Sequence, residues 1–216
     1  MPMTELPPPS RLTDRKREAI VQAALAEFRQ HGFGGTSMDR IAAVAEVSKR
    51  TVYNHFASKD ELFAAILQQL WARSQALGEP VYQAERPLRE QLLELLGLKL
   101  RLLNDASFMD LARVVMAEMM HTPERAQAMV ARLGEKEQGL PQWIAAAQAD
   151  GRLRPADPQY AAQQLQGLLK AFAFWPQLAL GQPPLPEAVQ QQVLRDSVEM
   201  FLGFYASVEP LKENAR

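Results

Sequence analysis

Apolar residues recur three and four apart along nearly the whole chain, the spacing of one face of a helix. Ile20, Ala24, Phe28 and His31 set the first such series, after Thr13 and Asp14 as plausible caps. Gly32 is positioned to stop it, and "GFGG" reads as a loop. Thr36 or Ser37 then caps a second series, Met38, Ile41, Ala42 and Ala45. A sharp turn at Glu46–Val47 leads to Ser48, the expected cap of a short third helix with Val52, Tyr53 and Phe56. Ser58 opens a fourth, with Glu61 three residues on as a capping box, then Leu62, Phe63, Ile66, Leu70 and Leu77.

Beyond a break at Gly78–Pro80 the pattern predicts helices over Pro87–Leu103 and Ser107–Met120. A further stretch starts at Pro123, is interrupted by Gly139 and Pro141, resumes as "QWIAAAQAD" and stops at Gly151. A long apolar helix is expected from Tyr160 to about Leu180, and an amphipathic one from Pro186 to Ser207. Alternating β-branched runs are missing, so the fold class is all-α. The expected organisation is a disordered arm over 1–11, with three prolines at Pro7–Pro9, a helix-turn-helix head over 12–57, a helical body over 58–208 and a tail over 209–216.

Charge changes the picture where composition does not. The net charge of −1 favours no partner, but Arg11 to Lys59 carries nine bases against five acids, and residues 60–216 carry fifteen against nineteen. A basic end on an acidic body suits a polyanion. The chain has no Cys, which excludes disulfides, thiolate metal sites and a cysteine nucleophile. His31, His55 and His121 lie far apart, so no metal site is expected. No run approaches the roughly 20 apolar residues of a membrane span, and no apolar signal segment opens the chain. A cytoplasmic protein is expected, with no membrane partner.

The stretch "VSKRTVYNHF" then gains a role. With Val52 and Phe56 turned inward against Ile20, Ala24 and Phe28, the outer positions are Ser48, Lys49, Arg50, Thr51, Tyr53, Asn54 and His55. Arg and Lys match guanine edges, Asn matches adenine, and hydroxyls match phosphate. The small Ala42 and Ala45 let two helices cross closely, as a helix-turn-helix needs. Tyr53 and His55 suit the groove rim, and Lys59, Arg15, Thr36 and Ser37 suit the phosphate backbone from neighbouring helix starts. Arg11 lies in the arm, where a minor groove is one destination and solvent the other. His55 is a poor acid–base catalyst, because Thr51, Val52, Ser58 and Lys59 occupy the positions within helical reach.

The segment Thr13–Leu67 resembles the DNA-binding domain of the tetracycline-repressor (TetR/AcrR) family, through "I..AAL..F...GF.GTSMD.IA..A.VS..T.Y.HF.SK..LF". The rest is more loosely similar to AefR-like bodies, mainly at "LARVVMAE" and "FAFWPQLALGQPP". The resemblance implies an all-helical homodimer of about nine helices. It also implies a transcriptional regulator, usually a repressor, released from palindromic double-stranded DNA by a small-molecule inducer. It places the protein on the bacterial nucleoid and implies no cofactor. Two departures stand out. Glu46 occupies a turn position that is often Gly in the family, and a left-handed non-Gly residue costs on the order of 1–2 kcal/mol. Arg50 occupies a position that often carries a small residue.

For the ligand, the candidates are Phe108, Arg113, Met116, Met120, His121, Trp143, Phe172 and Trp175, since Met and aromatic side chains adapt to apolar molecules. Plain core is the competing role for most of them. Two apolar stripes, one of Leu165, Leu168, Leu169 and Phe172 and one of Leu194, Val198, Phe201, Leu202 and Tyr205, are the expected four-helix dimer interface. Two other classes compete: a ligand carrier whose motif no longer reads DNA, and a small helical enzyme using His55 or His121. The second lacks paired carboxylates, Cys or a metal cluster.

Overall fold

The computed structural model describes residues 9–76, 81–122 and 139–207. They form ten helices and one isolated antiparallel bridge, Leu153 with Ala206. The chain divides into two compact units. The first comprises residues up to Ala72 together with Asp110 onward in the sixth helix; the second comprises Arg73–Met109 and the remainder. The expected helix opening at Pro123 and the tail over 209–216 lie outside the described residues, as does most of the arm.

In the first unit, α1 (Pro9–Gly35) packs on α2 (Met38–Val44) and α3 (Lys49–His55), and α2 packs on α3. Helix α1 begins at Pro9, ahead of the expected caps at Thr13 and Asp14. The rigid proline ring is tolerated there because a first-turn residue needs no N–H. Gly32 breaks it as expected, at φ 70° and ψ 167°, a conformation that side chains rarely adopt. The chain then turns once more to Gly35, and this lets Phe33 fold back. Phe28, Phe33 and Phe63 form an aromatic cluster with ring centroids 5.3–6.2 Å apart. Ile20, Ala24, Ile41, Val52 and Phe56 close the core beside it, each nearly or fully buried. Helix α4 (Lys59–Gln75) adds Leu62, Phe63 and Ile66.

In the second unit, α5 (Leu88–Leu103), α8 (Pro158–Ala173) and α10 (Glu187–Tyr205) pack on one another. Helix α6 (Ala106–His121) crosses from one unit to the other along the chain, and α7 (Gly139–Ala149) lies on α8. Gly139 and Pro141 lie in the first turn of α7, where proline fits because no N–H is needed; the stretch expected to lead up to them lies outside the described residues. The long helix expected to reach Leu180 ends at Ala173. Phe174 takes φ −110° and ψ −61°, and α9 (Trp175–Leu180) starts afresh. Pro176 explains the break: it has no N–H to donate, and its ring would clash with the carbonyl four residues back. Gln91 is a buried polar hub. Its amide nitrogen donates to the Gln83 and Arg86 carbonyls, and its oxygen accepts from Gln83 N and from the Trp143 indole at 3.2 Å.

Candidate nucleic-acid interface

Ser37 caps α2, its oxygen accepting from Arg40 N at 3.3 Å. Ser48 caps α3 in the same way, accepting from Thr51 N at 3.1 Å and pairing with the Thr51 hydroxyl at 2.8 Å. Between them the turn is held by Glu46 N to Ala43 O at 3.2 Å and Val47 N to Ala42 O at 3.1 Å. That closure forces Glu46 to φ 53°, the left-handed region, so the strain anticipated there is present. Replacing Glu46 with Gly is expected to raise the stability of the head by about 1 kcal/mol, less the entropy of a freer unfolded chain. Thermal melting of the two proteins checks it; a lower melting point for Glu46→Gly would count against the strain.

About 100° separates successive residues around a helix. Val52 and Phe56 are buried, so Arg50 and Asn54 stand near the opposite, outward line and are exposed. Tyr53 is 45% exposed; Thr51 and His55 are half-buried. Lys49 sits on the flank that faces α2. There its ammonium lies 2.8 and 2.9 Å from the two oxygens of Asp39, and that hydrogen bond, with the charge behind it, raises the lysine pKa. Among the described residues, Arg50 has no acid partner. Arg15 is likewise exposed on α1 without one. Arg17 lies over the Phe56 ring, 4.9 Å from its centroid.

Two expected backbone contacts are engaged elsewhere. Thr36 is 4% exposed, and its hydroxyl donates to the carbonyls of Glu27 and Gly32. It satisfies the frayed end of α1, which a side chain next to a break can reach and a phosphate cannot. The Lys59 ammonium donates to the carbonyls of Phe33 at 2.5 Å and Thr36 at 2.9 Å, and it covers the Phe33 ring. Lysine at the start of α4 thus caps the end of α1. Substituting Lys59 with Met is expected to lower stability by about 1–3 kcal/mol, the scale of lost charge-assisted hydrogen bonds. Any DNA affinity should keep its salt slope. A flattened slope at unchanged melting temperature would instead place Lys59 on a phosphate.

Of the eight expected ligand residues, Arg113, Met116, Met120 and His121 belong to the first unit and Phe108, Trp143, Phe172 and Trp175 to the second. Trp143 is core, 1% exposed and bonded to Gln91. Phe172 and Trp175 are 54% and 46% exposed. Phe172 is exposed although it shares the side of α8 that Leu165 and Leu169 bury, and Trp175 follows the break. Met120 is 77% exposed, His121 is exposed, Met116 is half-buried, and Arg113 donates to Asp110 at 2.9 Å. A cavity of about 120 Å³ in the second unit is lined by Phe108 with Leu102, Leu103, Leu169 and Phe174. Phe108 alone among the eight belongs to it. Leu102 and Leu103 were missed because an apolar face looks the same in sequence whether it meets a neighbour or a cavity. Leu169, expected at the dimer interface, lines this cavity instead.

Residues 20–66, which hold the turn and both of its helices, match the model of bacterial regulatory proteins of the tetR family. Residues 90–207 match the AefR-like transcriptional repressor C-terminal domain, so that match spans more than half of the chain. The chain belongs to the TetR family of transcriptional regulators. The HTH-type transcriptional regulator RutR of Escherichia coli K12 is 31% identical over 195 residues, 88% of this chain and 85% of that one. A crystal structure of a TetR-family regulator from Pseudomonas syringae pv. tomato DC3000 is 55% identical. It covers 90% of this chain and 99% of its own, with a TM-score of 0.80. The flavonoid-responsive regulator FrrA is 29% identical, with coverage of 88% and 96% and a TM-score of 0.68. All-helical architecture and the helix-turn-helix head are therefore family features that this TetR-family member retains, and no helix among the described residues is long and apolar enough to cross a membrane.

Proposed function

We propose that the protein is a ligand-responsive repressor that binds a palindromic operator as a homodimer and leaves it when a small apolar or amphipathic molecule fills the body. The observation that carries this reading is the outward line of α3. Arg50 and Asn54 stand exposed on a helix whose inner side is locked by Val52 and Phe56. Arg50 would read a guanine and Asn54 an adenine, with Thr51, Tyr53, His55, Ser37, Ser48 and Arg15 supplying rim and backbone contacts. Operator binding places its action on bacterial cytoplasmic DNA.

The dimer reading is supported by apolar surface on α8 and α10. Leu165, Leu169, Leu194, Val198, Phe201 and Tyr205 of the two expected stripes are buried within the protomer, because α8 and α10 use those faces against each other and α5. The surface left over is Phe172, Met200 and Phe204, each more than half exposed. Met200 and Phe204, with Gly167, Leu168 and Ala171, line an open groove of about 450 Å³. A second copy would cover that face. The ligand reading is supported by the cavity beside Phe108 and by the relative named as flavonoid-responsive. A ligand releases DNA only by binding better to the spacing of heads that does not fit the operator. Selection of duplexes from a random pool tests the whole reading. An enriched near-palindrome is expected, and a pool that stays random would leave a ligand carrier with a silent motif.

A further inference from the structure

The pairing of Lys49 with Asp39 points to a residue that sets sequence discrimination without touching a base. Lys49 opens α3, where an exposed lysine would ordinarily add a phosphate contact. Instead its ammonium is bonded to both carboxylate oxygens of Asp39, in the first turn of α2. Both side chains are exposed, at 60% and 62%, so neither is held there by burial. An exposed acid on the face that must approach a polyanion is unfavourable for binding any DNA. Were Lys49 to turn to a phosphate, the Asp39 carboxylate would be left facing that phosphate alone. The flank position of Lys49, next to the buried line of α3, keeps the pair together, while Arg50 and Asn54 point away from it. The charge available to α3 for sequence-independent attraction is thus reduced, and Arg50 is left as its unpaired base of fixed charge among the described residues.

We propose that Asp39 is a specificity-determining positioning residue. By holding Lys49, it suppresses phosphate-driven binding to unrelated DNA and leaves recognition to Arg50 and Asn54. This rests on the DNA-binding reading above. The test measures affinity against salt concentration on two duplexes, one enriched by selection and one of shuffled sequence and equal composition. Asp39→Asn, close to isosteric and exposed, should free Lys49. The salt slope on the shuffled duplex should steepen by about 0.9 per head, which is worth roughly eightfold in affinity at 0.1 M salt for each contact. Binding to the enriched duplex should gain no more than that, so the contribution of base reading to the total falls at low salt and half-occupied complexes become common on shuffled DNA. Lys49→Met leaves Asp39 uncompensated and should lower affinity for both duplexes alike, and Asp39→Asn combined with Lys49→Met should cancel the steepening. Glu46→Gln removes an equal charge from the turn and should change the slope less. An unchanged slope in Asp39→Asn, or persistence of the gain in the double variant, would overturn the proposal while leaving the protein a DNA binder. Failure of the wild type to bind either duplex would overturn both readings. Melting temperatures within a degree or two of wild type confirm that the variants are folded.

Discussion

Replacing Arg50 with Ala is expected to cost the protein most of its discrimination at one base pair in each half-site. The guanidinium stands on the outward line of α3, exposed and without an acid partner among the described residues. A planar fork of donors can reach two acceptors on one guanine edge, and alanine can reach none. A bidentate contact of this kind distinguishes the right base from the wrong one by about 1–3 kcal/mol. That corresponds to roughly five- to 150-fold in relative affinity. The variant should still bind duplexes, since Asn54, the caps and the remaining backbone contacts are untouched. Its preferred sequence should become degenerate at a symmetric pair of positions. Repeating the duplex selection with the variant shows this directly: an unaltered consensus would mean that Arg50 contacts only phosphate or solvent.

A larger effect is expected from Met200→Glu. Met200 is 62% exposed and borders the groove between α8 and α10. In a two-fold dimer built on this face, each protomer would bring one such carboxylate into the apolar contact. Desolvating unpaired charges is costly enough to shift the equilibrium to monomers. A monomer offers one head to a palindrome, and the second binding event is no longer intramolecular. Losing that linkage typically lowers affinity by about 100-fold to 10,000-fold. Analytical ultracentrifugation should therefore find a monomer whose melting curve still shows a folded protein, and whose affinity for the palindrome has collapsed to that for a half-site. A Met200→Glu protein that stays dimeric would move the interface elsewhere. Because the side chain lies outside the protomer's core, core damage does not confuse the outcome.

Helix boundaries in the head were legible because their caps are polar residues followed by an apolar period: Ser37, Ser48 and Gly32 each act as their chemistry implies. The inward turn of Val52 and Phe56 was legible for the same reason, and it fixes which residues of α3 face out. Thr36 was not separable from Ser37, since both carry a hydroxyl beside a helix start. Only the fold brings the Gly32 and Glu27 carbonyls to Thr36. The Lys59 and Lys49 partners were illegible for a related reason. Phe33 is 26 residues from Lys59, and Asp39 is 10 from Lys49, beyond any local rule of helix spacing. In the body, period 3.6 marked the helices but not the neighbour each face would meet. The apolar period therefore puts Leu165 and Tyr205 on an outer interface, whereas both are buried within the protomer, where α8 and α10 pack on each other. Pro176 carried a signal for the break after Ala173, and the continuous apolar run masked it.

Two copies of α3 are expected to read one near-palindrome. The most direct measurement is the mass, by analytical ultracentrifugation, of the complex formed on the duplex that selection enriches, alongside the spacing of its half-sites. Two protomers on one duplex are expected, with half-sites centred about one helical turn, roughly 34 Å, apart or a multiple of it. A single protomer per duplex, or equal affinity for enriched and shuffled sequence, would contradict it.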